Sequence, residues 1–309
     1  MTAYLLKRLL LAIPVLFLTI AFVFMALHLA GGDPLTTILG PGAPRELREA
    51  TRARLGLDKP LPVQFIVYIG NLLRGDFGQS ILNKEPVLKM IGDKLPITAE
   101  LGASAFALAY LVAIPLGLTA ALNRNKFFDW FTMILALIGV SMAGFWLGLI
   151  LMYFFAATLK WLPPTGHGDL KHLILPTLAL GLPRVGQIAR ITRSSVVEVL
   201  GQDYIRTARS KGLRESAVVL VHALRNALIP IVSLAGLDLG YIIGGSVVIE
   251  SVFARPGIGF MMLKSIYARD FPVLQGCMIV LGVAIILSNI LADLAYVVID
   301  PRISHKSKD

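Results

Sequence analysis

The sequence predicts an all-α integral membrane protein with six transmembrane helices, a basic helical segment on the cytoplasmic side and an ordered extracytoplasmic segment after the first helix. Three observations predict it. Of 309 residues, 56% are hydrophobic and 16% charged, with a mean hydropathy of +0.75, whereas a soluble domain is about one-quarter charged. The apolar residues gather in runs long enough to cross about 30 Å of hydrocarbon as helices. Lysine and arginine, 29 against 19 acidic residues, favour connections that the positive-inside rule keeps in the cytoplasm. The net charge of +10 therefore reflects topology before it suggests nucleic acid. Cys277 is the single cysteine, cannot form an intrachain disulfide, and reads as a small buried hydrophobe.

The first span runs from Leu9 to about Ala30, after a short start with Lys7 and Arg8. It is too long for the apolar core of a signal peptide, so it is read as retained, with its N-terminus inside. Asp33-Pro34 suits a helix start, with Asp as cap and Pro in the first turn. Residues 31–98 form the extracytoplasmic segment, punctuated by Pro41, Pro44, Pro60, Pro62 and Gly75. Leu47 to Leu57 and Val63 to Leu73 are expected as short amphipathic helices.

Residues 99–302 form the membrane core. Its first helix, the second span, runs from Glu100 to about Leu122, and the basic turn Asn123-Arg124-Asn125-Lys126 follows on the inside. The third span covers Trp130 to about Leu159, with Ser141, Gly144, Phe145 and Trp146 near its centre. Trp161 suits the interfacial belt that opens an outside loop. His167 and His172 lie in that loop without the Cys or carboxylate spacing of a metal site. The fourth span, Leu173 to Ile191, contains Pro176, Pro183, Arg184 and Arg190, and such a helix belongs inside a bundle where neighbours satisfy freed carbonyls. The fifth, Ala227 to about Phe253, holds Gly236, Gly240, Gly244, Gly245 and Asp238; small residues allow close helix approach. An outside loop, Ala254 to Pro272, carries an apolar stretch at Ile258 to Leu263 that suits a short re-entrant or interfacial helix. The sixth span is Val273 to about Val298, and residues 303–309 form a cytoplasmic tail.

The chain contains no G-x-x-x-x-G-K-[ST], H-E-x-x-H, paired-Cys metal spacing or G-x-S-x-G. It is therefore read as non-enzymatic, without a cofactor or metal of its own. The chemistry that remains is a connection at about 195–226. As a helix, Asp203 to Lys211 would put Tyr204, Thr207, Ala208 and Lys211 on one face, flanked by Arg206 and Arg209. Gly212 suits the helix end. Such a segment either docks a partner or only fixes topology and touches anionic lipid.

Asp203-Tyr204-Ile205-Arg206-Thr207-Ala208-Arg209-Ser210-Lys211-Gly212, with His222 to Ala227, resembles the coupling loop of ABC importer permeases of the dipeptide/oligopeptide/nickel family. The resemblance covers nearly the whole chain. It includes Gly32-Asp33-Pro34, Leu55 to Pro60, Gly75-Asp76-Phe77-Gly78, Glu250 to Gly259, Arg269-Asp270-Phe271-Pro272 and Asp300-Pro301-Arg302. Arg206-Thr207-Ala208 stands where the general permease signature has Glu-Ala-Ala, Gly212 is retained, and Ile229-Pro230 comes later than the general spacing.

The resemblance implies a type I permease fold in a bacterial-type inner membrane, with both termini cytoplasmic. It implies a second homologous permease, two ATPase subunits that bind ATP and Mg, and an extracytoplasmic solute-binding protein. Asp203, Tyr204, Arg206, Thr207, Ala208, Arg209, Lys211 and Gly212 would then couple to the ATPase, with Tyr204, Thr207, Ala208 and Lys211 as the contact face. The expected cargo is a di- or oligopeptide, with nickel, glutathione or another small solute as alternatives. Asp238, Ser141, Phe145 and Ser246 are the candidate pathway residues. An ionisable residue deep in a span points to function, while the structural alternative for Asp238 is a pair with Arg184 or Asn289. Two other classes stand beside this reading: an ion-coupled carrier using Asp238, and a structural membrane protein that tolerates changes there.

Overall fold

The structure, a computed structural model, describes residues 2–29, 35, 39, 40, 42–54 and 58–299. Gly32-Asp33-Pro34, Leu55-Gly56-Leu57, Asp300-Pro301-Arg302 and the basic tail lie outside the described residues, as does the side chain of Asp293. The helices are α1 (Thr2–Leu29), α2 (Arg45–Arg54), α3 (Leu61–Leu73), α4 (Val87–Leu122), α5 (Phe127–Ser141) and α6 (Gly144–Thr158). They continue as α7 (Leu170–Leu200), α8 (Asp203–Ser210), α9 (Glu215–Val252), α10 (Ile258–Ala268) and α11 (Phe271–Ile299). Among the described residues the only strand-like feature is an isolated bridge between Gln79 and Pro86.

By length and composition, α4, α9 and α11 can each cross a membrane, and α5 with α6 makes a broken fourth candidate. α1 carries the apolar stretch Leu10–Ala26. α7 has the length, 31 residues, but its Lys171, Arg184, Arg190 and Arg193 keep its mean hydropathy down.

Several elements differ from the sequence-based expectation. α9 starts at Glu215 and not at Ala227, and α7 runs past Ile191 to Leu200. α4 begins at Val87, well before Glu100, because Pro86 supplies a pre-set extended residue at its start and Pro96 is tolerated inside it. The expected third span is not one rod. It bends by 102° between α5 and α6. Met142 and Ala143 take extended conformations, ψ 124° and 132°, which interrupts the helical hydrogen-bond ladder. Gly144 then sits so close to α7 that a Cβ there would stand 3.0 Å from the Ala179 carbonyl oxygen.

The helix directions follow from which residues meet. Ala105 meets Gly181 and Gly117 meets Thr192, so α4 and α7 run parallel. Ala136 meets Gly186 and Asp129 meets Arg193, so α5 and α7 run antiparallel. Gly102 meets Ile242 and Tyr110 meets Asp238, so α4 and α9 run antiparallel. α9 and α11 are antiparallel as well, with Gly236 pressed on Ala292 and Gly240 on Ile285. Only a residue without a side chain fits at Gly236, where the backbones approach closely. Among the described residues, the apolar clusters that fill the bundle include Leu101, Ala105, Leu175, Ala179, Ile242, Ile249 and Phe253; Ala109, Ala113, Ile188 and Ile231; Val87, Ile91, Ile258, Val273 and Cys277; and Ala121, Val196 and Ala227. α8 and α10 therefore lie at opposite ends of α9.

Candidate functional site: a surface helix, a buried charge pair and a braced outer turn

α7 stops at Leu200, and Gly201 and Gln202 turn the chain into α8. Ile205 is the large aliphatic residue of this short helix, and it selects the face that packs. Ile205 and Ala208 are buried against Val218 and Ala223, with Val199 and Leu200 beside them. Val218–Ala223 is a π-helical stretch near the start of α9, so α8 rests on the widened turn of the next long helix. Tyr204 stays half exposed, and its hydroxyl accepts a hydrogen bond of 3.0 Å from Asn226 Nδ2. Gly212 ends the unit at φ +76°, in the left-handed region. Its N–H donates to the Arg209 carbonyl at 2.9 Å, and the Leu213 N–H to that of Ala208 at 3.4 Å. Arg209 spans the turn and donates to both Glu215 oxygens, at 2.6 and 3.1 Å. Those bonds push the Arg209 guanidinium above its ordinary pKa.

The expected face of Tyr204, Thr207, Ala208 and Lys211 therefore does not stand open as a unit. Ala208 lies one turn beyond Ile205 and is drawn inward with it. The open face is Asp203, Arg206, Thr207 and Ser210, with Lys211 exposed at the end.

Asp238 is buried inside the bundle, 2% exposed. Tyr110 of α4 donates to its Oδ2 at 2.8 Å, and Arg184 Nε of α7 stands 3.6 Å from its Oδ1. Arg184 also donates to Gln187 at 2.7 Å and lies 3.2 Å from the centroid of the Tyr241 ring. Of the two partners considered from sequence, Arg184 is the one found; Asn289 lies by Gly240 instead. The remaining pathway candidates are not gathered around Asp238. Ser246 is buried two turns further along α9, its hydroxyl bonded to the Ile243 carbonyl. Ser141 and Phe145 flank the break between α5 and α6, and both are exposed.

At the α10 end lie charged residues that sequence reasoning named only within motifs or at a span boundary and gave no role. Glu250 is fully buried, and its Oε2 accepts the N–H groups of Gly259 at 2.8 Å and Phe260 at 3.1 Å. Thr98 Oγ1 accepts the N–H of Ile258 at 2.8 Å. Three of the four orphan amides that open α10 are thus satisfied from α9 and α4. Arg255, 1% exposed, pairs with Glu100 at 2.5 Å. Asp270 holds the Ser80 hydroxyl and the Ile81 N–H, at 2.5 and 3.1 Å. Asp76 accepts from the Gly78 N–H at 2.8 Å, and Phe77 packs on the cluster around Val273. Glu250 to Gly259, Gly75 to Gly78 and Arg269 to Pro272 therefore form one contiguous structure. The signal available in sequence was a charged residue, Glu250, ending an apolar run just before Arg-Pro-Gly. Asp129 with Arg193, a bidentate pair near the opposite end, was missed.

Long apolar helices packed through glycine, a charge pair held inside them and a polar helix at one end are the build of a membrane-embedded helical bundle. Residues 113–305 match the family described as binding-protein-dependent transport system inner membrane component. Residues 1–102 match the corresponding N-terminal family of membrane components. The chain belongs to this family and is an ABC importer permease. It is 44% identical over 313 residues to a protein of Brucella suis biovar 1 (strain 1330), provisionally named a peptide transport system permease, with 99% of this chain and 100% of the relative covered. It is 43% identical over 306 residues to the glutathione transport system permease protein GsiC of Salmonella typhimurium (strain LT2), with 99% and 100% covered.

Proposed function

We propose that this permease moves di- and oligopeptides inward across the membrane, driven by ATP and Mg on two separate ATPase subunits that act through α8. A second homologous permease completes the pathway, and a solute-binding protein delivers cargo to the extracytoplasmic surface around α10. In this reading the chain spans the membrane six times with both termini in the cytoplasm. The named cargoes of the relatives, peptide and glutathione, support the peptide assignment, since glutathione is itself a tripeptide.

The observation that carries the reading is the seat of α8. It joins α7 to α9, the two helices that hold Arg184 and Asp238. Ile205 packs it on the base of α9 and Arg209 ties it to Glu215 there, while Arg206, Thr207 and Lys211 face outward. A push on that face would tilt both long helices as rigid levers, the motion that alternating access needs.

The test is Lys211→Glu and Gly212→Pro in the complete transporter. Proline cannot adopt φ +76° and lacks the N–H that bonds Arg209. Both variants are expected to insert and assemble but to lose substrate-stimulated ATP hydrolysis. Normal uptake in both would defeat the coupling role of α8.

A further inference from the structure

Arg184 lies inside the bundle with its donors incompletely used. Nη1 donates to Gln187, but Nε has no hydrogen-bond acceptor among the described residues. The 3.6 Å to Asp238 is a loose ionic contact, beyond hydrogen-bond length. Asp238 has its own short bond, from Tyr110. Tyr241, whose ring covers the guanidinium, is 56% exposed, and Leu237 one turn before it is 66% exposed. The cation therefore sits one side chain beneath an open face of α9. A guanidinium at this depth is costly, and costly groups in spans face a polar path or a partner.

We propose that Arg184, roofed by Tyr241, is a recognition point for a carboxylate of the translocated solute, the C-terminal carboxylate when that solute is a peptide; this rests on the peptide reading above. A guanidinium fork matches a carboxylate with two parallel hydrogen bonds. The aromatic roof fixes the plane of the fork and shields one side from water. Asp238 balances the charge while the site is empty. An incoming carboxylate displaces it from Arg184, and Asp238 remains held by Tyr110. An amine finds no comparable place here, because the Asp238 carboxylate already faces a hydrogen-bond donor and a cation.

The experiment uses the complete transporter in proteoliposomes. A mixture of tripeptides and their C-terminal amides is offered, and uptake of each is read by mass spectrometry. Wild type is compared with Arg184→Gln, Arg184→Lys and Tyr241→Leu. Comparing acid with amide uptake within each protein, then across proteins, cancels the preference of the binding protein. Arg184→Gln is expected to lower acid uptake about tenfold relative to amide uptake, the scale of a lost charge-assisted bond. Arg184→Lys is expected to recover part of it. Equal loss of acids and amides would mean a structural arginine and overturn the proposal. Should Arg184→Gln fail to assemble, Tyr241→Leu at its exposed position carries the same comparison: selective loss of acids supports the site, and an unchanged ratio overturns it. Wild type that takes up neither class defeats the peptide reading itself, and this inference with it.

Discussion

Glu250 places a fully buried carboxylate against the first turn of α10 and accepts two of its free amides. A negative charge at a helix start is favourable in itself, since the aligned peptide dipoles leave partial positive charge there. The backbone is shaped to admit it, because a Cβ on Gly257 would collide with the carboxylate. Removing the acceptor leaves buried N–H groups without partners, at about 1–3 kcal/mol. Glu250→Ala and Gly257→Ala should therefore both lower the thermal unfolding midpoint of the purified protein in detergent, and Glu250→Gln, which keeps an acceptor oxygen, should lower it less. A Glu250→Ala midpoint equal to wild type would remove the capping account. Asp129 and Arg193 differ in kind: they bridge α5 and α7 directly, so loss of either leaves a partly buried charge facing the other helix.

At the scale of the element, α8 depends on one aliphatic side chain. Ile205 is its main purchase on Val218 and Ala223, and truncating a buried isoleucine to alanine costs about 2 kcal/mol or more. Ile205→Ala should speed hydrogen exchange of the α8 amides and weaken coupling to the ATPase, while the exposed Ser210→Ala should change neither. Equal exchange in Ile205→Ala and wild type would show that the Gly212 turn alone holds the helix. The same residue explains what could be read from sequence here. The helix itself was legible, because Asp203 opens it and Gly212 closes it. The open face was not, because helical spacing groups Tyr204, Thr207, Ala208 and Lys211 without saying which side of the ring a neighbour will cover. Ile205 decides that only once Val218 and Ala223 are in place. The break between α5 and α6 was illegible for a related reason. The run from Ile134 to Leu151 is apolar apart from Ser141, and that one serine does not mark the two extended residues that let Gly144 reach α7. For Asp238 the sequence offered a pathway role or a structural partner, Arg184 or Asn289, and only the packing of α7 against α9 singles out Arg184. The tyrosines around them came from packing alone.

For the whole molecule, the helix directions make a testable statement about which loops share a side. α4 and α7 run parallel, and α5 and α9 run against α7, as the meeting of Ala105 with Gly181, Ala136 with Gly186 and Gly102 with Ile242 requires. Lys84, just before α4, and Lys160, just after α6, therefore belong to the α10 end. Lys126, between α4 and α5, and Lys211, between α8 and α9, belong to the α8 end. The wild-type cysteine does not interfere, because Cys277 is buried, and Cys277→Ser gives a clean background. With one cysteine introduced at each lysine in turn, a membrane-impermeant maleimide added outside intact cells or spheroplasts should label positions 84 and 160. It should reach 126 and 211 only after the membrane is opened. Helix packing sorts these positions onto two ends, and the positive-inside rule, read from the basic turn at Arg124 and Lys126, puts the α8 end in the cytoplasm, so one experiment tests both. Labelling of position 211 from outside would reverse the orientation. It would also remove α8 from the reach of any cytoplasmic ATPase, and the proposed coupling would fall with it.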